Sequence, residues 1–420
     1  MSDPLAIKGR FQTQFQTGTT STLGFKPELN LDFSLFKDSD TELLLTTHSE
    51  IKGSSKHSPV EGSPLKPSDL YMRDIYKDGI DVSLLKALGL KIDLKFDKNH
   101  WVIGTLWDDT GRNLTTNGFT RLGLKEVSDL ARAPLIFNYE RPFIHIFPGS
   151  NLGLWSEFYG SNSSEDVFFR GFFGITNARK SQGIFGIRAP DWEDNTPTQV
   201  IAPKGQEDGD TFAQGAFITM GGGFGLKSDD DHFKLALDGS ISIRTFPDNA
   251  TKRKNFTKDA QNDSAVLMPY LSAGFSFFNR LNLFADFAWV EDSGAGDKSQ
   301  FSWRTGAEGL IIKDDWGAFS LFAGAAGVNA SKGAIVTENG FIFLNEENTT
   351  VIGPEGPVTI TKSSGGKVDG FSFVAGPRLI FNIGTSQKID LSINAGFIDD
   401  SRLDSKLPVI SGRGAYRIDF

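Results

Sequence analysis

The chain has 420 residues, a formal net charge of -9 and no cysteine, which excludes disulfide bridges and cysteine-ligated metals or clusters. The acidic balance argues against non-specific nucleic-acid binding, and we expect no nucleic-acid partner. No apolar run reaches the roughly 18 residues that a transmembrane helix needs. The mean hydropathy of -0.23 suits a soluble protein, and it equally suits a β-barrel in which only alternate residues face lipid.

Alternation of apolar and polar residues begins near the N-terminus and recurs along the chain. At the start, Ile7 and Phe11 fall on one face of an extended segment, whereas Lys8 and Arg10 fall on the other. Such alternation predicts strands with one apolar and one polar face. Strands are predicted at residues 7–17, 28–35, 43–47, 88–96, 100–107, 135–139, 152–159, 167–176, 182–188, 212–226, 233–244, 265–278, 281–290, 301–311, 317–329, 371–381, 389–397 and 411–420.

Two segments, residues 79–87 and 122–132, fit short helices. In the second, Leu124, Val127 and Leu130 lie near helical spacing. Two interpretations stay open for them: inserts folded into or over a lumen, or helical turns that pack in a core.

The connections between predicted strands alternate in length. Short connections are predicted near 37–40, 148–150, 177–180, 227–231, 279–280, 313–316 and 384–387. Long connections are predicted near 49–67, 189–211, 247–263, 292–299, 330–367 and 400–407. Short turns at one end and long loops at the other are typical of outer-membrane β-barrels.

The last strand is the most distinctive one. Tyr416, Ile418 and Phe420 lie on its apolar face, and Arg417 and Asp419 lie on the opposite face. It resembles the closing strand of bacterial outer-membrane β-barrels, with a terminal Phe and apolar residues two and four places before it. Together with the recurrent alternation, it makes the chain resemble a Gram-negative outer-membrane β-barrel of porin type.

The predicted fold is all-β, a transmembrane antiparallel β-barrel of about 18 strands (16 to 20) formed by residues 1–420 as one domain. Luminal or loop inserts are predicted at 49–67, 79–87, 122–132, 189–211 and 330–367. The alternative is a soluble sandwich whose apolar faces pack on each other. Long strands with mixed polar faces favour the barrel, because a tilted strand needs about nine to eleven residues to cross a bilayer. Five aromatic residues are predicted near strand ends, where an aromatic belt would lie: Trp289, Phe301, Trp303, Tyr416 and Phe420.

Motifs for catalysis are absent from the sequence. The five histidines form no HExxH motif or close pair, and no GxSxG or Walker A motif occurs. We therefore expect no enzyme, no cofactor and no catalytic metal. Acidic pairs such as Asp314-Asp315 fit turn residues that bond their own backbone, with a calcium site as the alternative.

Charged residues on the polar strand faces are the candidate functional residues, because these faces would line a lumen. The pore-lining candidates are Lys8, Arg10, Glu28, Asp32, Arg170, Asp238, Arg244, Asp286, Arg304, Glu308, Arg378, Lys388, Asp390, Arg413 and Arg417. If the first strand pairs with the last, Lys8, Arg10, Arg413 and Arg417 form a basic strip at the seam. Two interpretations stay open for the whole set: facing acidic and basic arcs that create a transverse field, or ion pairs that brace the wall.

The resemblance implies a water-filled channel for passive diffusion of small hydrophilic solutes. Alternatives are a specific channel for sugars or an exporter of polysaccharide, which inward Trp155, Tyr159 and Phe284 would favour, and a non-channel surface protein or outer-membrane enzyme. Expected partners are outer-membrane lipid and lipopolysaccharide, the barrel-assembly machinery through the strand that ends in Phe420, and two further copies in a homotrimer. We expect a mature chain in the outer membrane, its signal peptide replaced by a start Met.

Overall fold

The strand-forming segments supply most of the structure that the computed structural model describes. It covers residues 7–18, 23–25, 28–54, 79–106, 114–132, 152–177, 216–244, 266–292, 298–330, 334–337, 340–343, 349–353, 356–360, 368–400 and 406–419.

Extended segments dominate these residues. The strands are β1 Ile7–Gly18, β2 Leu23–Phe25, β3 Glu28–Lys37, β4 Thr41–Ser54, β5 Gly79–Phe96, β6 Asn99–Leu106, β7 Leu152–Ser161, β8 Val167–Asn177, β9 Ala216–Lys227, β10 Phe233–Arg244, β11 Val266–Phe277, β12 Leu281–Asp292, β13 Lys298–Asp314, β14 Gly317–Ala330, β15 Ala334–Thr337, β16 Gly340–Phe343, β17 Thr349–Gly353, β18 Gly356–Ile360, β19 Val368–Ile383, β20 Gln387–Asp400 and β21 Leu407–Asp419. Two short helices, α1 Leu114–Arg121 and α2 Lys125–Arg132, lie between β6 and β7.

A single antiparallel sheet forms the wall and closes on itself. Strands that follow one another pair side by side, β14 pairs with β19, and β21 pairs with β1 from Arg10↔Asp419 to Gly18↔Ser411. The described residues give this sheet seventeen strands. The three-residue β2 lies between β1 and β4, as β3 does, so sixteen of the described strands follow one another around the lumen. The predicted all-β barrel is confirmed, with a strand number inside the predicted range of sixteen to twenty.

The turns at one end of the barrel are short. They span 38–40, 97–98, 162–166, 228–232, 278–280, 315–316 and 384–386. In the turn 162–166, Asn162 Oδ1 accepts the backbone N–H of Val167, and the side chains of Asn162 and Ser164 donate to the carboxylate of Asp166. These hydrogen bonds to Asp166 hold the pKa of its carboxyl below the usual value. At the opposite end, the strands stop at residues such as Leu106 and Asn177, and the connections that follow, 107–151 and 178–215, are long in sequence.

Two predicted loop or helical segments are strands instead. Residues 79–87, predicted as a short helix, belong to β5, where Gly79 pairs with Ser54 and Ser83 pairs with Glu50. Residues 49–54 of the predicted loop 49–67 belong to β4. The helix at 79–87 and the loop assignment of 49–54 were wrong, because ladder pairing with a neighbouring strand overrides a weak local pattern. Residues 55–67 lie outside the described residues.

Other predictions concern the inserts. The segment 330–367 carries two two-stranded hairpins, β15–β16 and β17–β18. The predicted strands 135–139 and 182–188, the turn 148–150, the insert 189–211 and Phe420 lie outside the described residues.

The two helices lie inside the barrel. α1 contacts β8, β9 and β10, and α2 contacts β11, β12 and β13. Their apolar residues are fully buried in one cluster with inward residues of β10, β12 and β14. The cluster comprises Phe119, Leu122, Leu124, Val127, Leu130, Ala236, Phe284, Phe322 and Ala326. This part of the lumen is therefore filled by a packed core. Neither helix is long and apolar enough to cross a membrane.

The wall has the opposite polarity to a water-soluble protein. On β12, Asp286 is 0% exposed, whereas its neighbour Phe287 is 42% exposed. On β11, Ser272 is 0% exposed and Leu271 is 53% exposed. Large apolar side chains thus cover the outside and polar ones face in, which is the arrangement of an outer-membrane barrel and not of a soluble sandwich.

Aromatic side chains form a belt near each end of the outer surface. Near the long connections, the belt includes Phe287, Trp289, Phe301, Trp303, Phe371, Phe373 and Phe397. Near the short turns, it includes Phe158, Phe169, Phe233, Phe275, Phe277, Phe278, Trp316 and Phe381. Phe371 and Phe381 mark the two belts on β19; ten residues at about 3.3 Å each and a tilt of about 40° separate them by about 25 Å across the membrane. This spacing matches the apolar band of outer-membrane barrels.

Candidate functional site: the charged lumen

Arg170 on β8 is the centre of the first inward ion-pair network. Its Nε donates to Glu157 Oε1 on β7 at 2.7 Å, and its Nη1 donates to Asp238 Oδ2 on β10 at 2.6 Å. The guanidinium carbon also lies 4.4 Å from the ring centroid of Phe172. All three charged groups are buried. A buried charge is tolerated only when it is paired, and this network satisfies Arg170 from both sides.

Two further networks occupy the wall from β11 to β21. Arg304 Nε donates to Asp286 Oδ2, and Tyr270 Oη donates to the other oxygen of Asp286 at 3.1 Å. Arg378 forms a two-pronged pair with Asp390, at 3.0 and 2.8 Å, and its Nη1 donates to Glu308 Oε1 at 2.9 Å. Arg413 Nη1 lies 3.6 Å from Asp390 Oδ2. These side chains are buried as well.

Eight of the fifteen candidate residues therefore meet in ion-pair networks: Arg170, Asp238, Asp286, Arg304, Glu308, Arg378, Asp390 and Arg413. In each network, acid and base alternate around the wall, on strands that are adjacent or separated by one strand. This arrangement fits the bracing of the wall by mutual neutralisation, and it does not form facing acidic and basic arcs.

The other candidates are spread around the wall. Asp32 lies 3.7 Å from Lys91 Nζ, and Arg417 Nε donates to Asp419 Oδ2 at 2.8 Å. Lys388 is the cross-strand neighbour of Arg417. For four further candidates the structure describes the backbone register alone: Lys8 opposite Asp32, Arg10 opposite Asp419, Glu28 opposite Gln12, and Arg244 opposite Phe217.

At the seam, the closure of β1 onto β21 brings basic residues near one another, but acidic ones accompany them. Arg417 stands opposite Gln12, and Arg10 stands opposite Asp419. Arg413 is next to Asp390. The register of the basic strip predicted at the seam thus also includes the carboxylates Asp419 and Asp390.

Three aromatic residues that were expected to face inward, Trp155, Tyr159 and Phe284, do so.

Other lumen residues were missed in the sequence, and they lie on β4–β7 and α1. The missed residues are Glu42, Lys91, Asp93, Lys95, His100, Arg121 and Glu157. Alternation within the predicted strands could have identified all of them except Arg121, which belongs to a helix, and Glu42, which precedes the predicted strand 43–47. Among the described residues, no cluster of His, Asp and Glu is arranged to hold a metal ion.

A stack of planar side chains connects α1 to β6 and β7. The guanidinium carbon of Arg121 lies 3.6 Å from the ring centroid of Tyr159. His100, the cross-strand neighbour of Tyr159, stacks on it with centroids 5.0 Å apart and planes 2° apart. Its Nδ1 lies 2.9 Å from Asp93 Oδ1. Cation–π and stacking contacts hold these groups in fixed orientations.

Close approach of glycine backbones allows the helices to dock on the wall. A Cβ atom at Gly225 of β9 would lie 2.2 Å from the carbonyl oxygen of Leu122. At Gly274 of β11, it would lie 2.6 Å from the ring of Phe119. The glycine-rich run 221–225, which the sequence placed within a strand, therefore provides part of the docking surface for the insert.

The comparisons with known proteins found solved structures of similar architecture but very low sequence identity. No protein-family model and no curated protein matches the chain. OmpT, an outer membrane protein of Vibrio cholerae, is 8% identical with a TM-score of 0.48, over 100% of this chain and 99% of that one. Salmonella typhi OmpF is 9% identical with a TM-score of 0.48, over 99% and 97% of the two chains. An anion-selective porin from Comamonas acidovorans is 9% identical with a TM-score of 0.47, over 99% of each chain. The fold assignment itself rests on the closed strand pairing described above.

Proposed function

We propose that the protein is an outer-membrane channel that lets small hydrophilic solutes diffuse through its lumen. The observation that carries this proposal is the polarity of the closed wall: charged groups such as Asp286 face in, and apolar groups such as Phe287 face out. Such an exterior is stable in a bilayer, and such an interior accommodates water and polar solutes.

The helices narrow this channel. α1 and α2 fill the lumen beside β8–β13 with a packed apolar core, and we propose that solutes pass along the remaining wall. There, side chains such as Lys95 and Asp93 are partly exposed, at 30% and 16%. A channel with a partly filled lumen selects solutes by size and charge more strongly than an unobstructed barrel of sixteen strands.

Conductance in planar lipid bilayers tests the proposal. Refolded, purified protein is expected to produce stepwise increases in current, each step being one inserted channel unit. Liposomes loaded with a small sugar are expected to swell when the protein is present. A heat-denatured sample is the control. Folded protein that inserts into liposomes without conductance or swelling would contradict the channel and favour a surface or structural role.

The oligomeric state belongs to the same proposal. The outer surface is covered by apolar residues, and we propose that the barrel assembles as a homotrimer. Crosslinking of the protein in native membranes is expected to give a band at three times the monomer mass. A band at the monomer mass alone would contradict the homotrimer and indicate a monomeric channel.

A further inference from the structure

Arg121, at the C-terminal end of α1, is far more exposed than the arginines at the centres of the buried networks. Its side chain is 33% exposed, whereas those of Arg170, Arg304 and Arg378 are 1–3% exposed. It lies inside the barrel because α1 does. It therefore presents a permanent positive charge to the open part of the lumen.

The carboxylate nearest to Arg121 lies beneath it. Glu157 Oε2 is 3.7 Å from Arg121 Nη2, but the Glu157 side chain is only 7% exposed and is already bonded to Arg170. Lys95 shows the same arrangement: it is 30% exposed, and its partner Glu42 is 5% exposed. In these two pairs, the cation reaches the water while its counter-charge is buried behind it.

Tyr159 fixes the orientation of Arg121. The guanidinium stacks on the tyrosine ring at 3.6 Å, which leaves the N–H groups at its edge directed sideways. A pre-oriented guanidinium fork suits the two oxygens of a carboxylate or a phosphate, and ordering it in advance lowers the entropic cost of binding. Lys125, the exposed first residue of α2, adds a second cation nearby in the sequence.

We propose that Arg121, held by Tyr159, is a binding subsite for oxyanion groups of passing solutes, and that Lys95 and Lys125 contribute to its positive field. This inference rests on the proposed channel function and names the solute class that the channel favours. The buried arginines brace the wall and contribute little to selectivity.

Reversal potentials in a salt gradient test the field. In Arg121→Gln, the chloride-to-potassium permeability ratio is expected to fall about two- to fivefold, because a unit charge about 4 Å from an ion in water changes its local concentration by a few fold. The matched control is Arg280→Gln, since Arg280 is exposed in the turn 278–280, where it donates to the carbonyl oxygen of Ile311, a residue of the apolar outer face. The control is expected to keep the wild-type ratio.

Blockade of the chloride current by added benzoate or by inorganic phosphate tests whether the planar guanidinium of Arg121 binds oxyanion groups. Arg121→Lys keeps the charge but loses the planar fork, so the half-blocking concentration is expected to rise about three- to tenfold while the chloride ratio stays close to wild type. Tyr159→Leu is expected to weaken blockade as Arg121→Lys does, and Tyr159→Phe is expected to retain it. Benzoate blockade without phosphate blockade would restrict the subsite to carboxylates.

The two proposals fail in different ways. Wild-type protein that does not conduct contradicts the channel itself. Conducting wild-type protein whose permeability ratio and blockade are unchanged in Arg121→Gln contradicts the subsite alone. Folding of each variant is verified by the heat-dependent shift in gel mobility. If Arg121→Gln does not fold, Lys125→Gln and Lys95→Gln replace it. Chloride-to-potassium permeability ratios that are unchanged in both of these variants overturn the inference.

Discussion

Buried ion pairs on adjacent strands are the main polar feature at the scale of single residues. Pairs such as Asp286–Arg304 lie in a lumen wall from which bulk water is largely excluded, so each partner depends on the other. Removing one partner leaves an uncompensated buried charge, which costs more than the pair contributes when intact. These residues thus serve chiefly to maintain the shape of the wall.

We expect Arg304→Met to lower the free energy of unfolding by about 3–5 kcal/mol, because it strands the Asp286 carboxylate. The double variant D286L/R304M is expected to recover a large part of this loss, since neither charge remains. Urea unfolding in detergent micelles measures both. Lys406→Met is the control, because the Lys406–Asp399 pair is exposed and contributes at most about 1 kcal/mol. Equal losses in the single and double variants would contradict the argument.

At the scale of elements, the docking of the helical insert depends on glycine positions in the wall. We expect Gly225→Ala to push the carbonyl of Leu122 away from β9 and towards the open path, because its Cβ would meet that oxygen at 2.2 Å. The expected result is a smaller single-channel conductance and a loss of about 1–3 kcal/mol in stability. Gly171→Ala is the control, since its added Cβ would have no neighbour within 4 Å. Identical conductance and stability in the two variants would show that the insert is not held at this point.

The sequence predicted elements well where one physical rule dominated and poorly where tertiary contacts decided. Period-2 alternation located most of the wall, because lipid outside and charge inside impose it on every strand. It missed α1: residues such as Thr116, Asn117 and Gly118 are poor helix formers, and burial of Phe119 against the wall stabilises this helix. Sequence also could not pair Arg170 with Asp238, because these partners lie 68 residues apart and the pairing follows from strand register.

At the scale of the whole molecule, the decisive property is what surrounds the barrel. The outward face of β11 offers a graded test, because Leu271 lies near the middle of the strand and Phe277 lies in the belt at the short turns. In water, an exposed Leu→Arg change is nearly neutral in stability. In a bilayer, the cost of an outward charge depends on its depth.

We expect Leu271→Arg to lower the free energy of unfolding by about 2–4 kcal/mol in liposomes. Phe277→Arg is expected to lower it by at most about 1 kcal/mol beyond the loss of its aromatic contacts, because a charge near the interface reaches water. Ser272, which faces inward beside Leu271, allows a comparison with the opposite face. Its side chain is fully buried, so Ser272→Arg is expected to prevent folding by overpacking the lumen, whatever the lipid. Urea unfolding in liposomes of thin and thick acyl chains measures the depth dependence. A Leu271→Arg cost that is equal to that of Phe277→Arg and independent of bilayer thickness would contradict a lipid-facing exterior. A cost that grows with depth would establish that the apolar surface of this wall is solvated by acyl chains, which is the condition under which its charged lumen can act as a path for solutes.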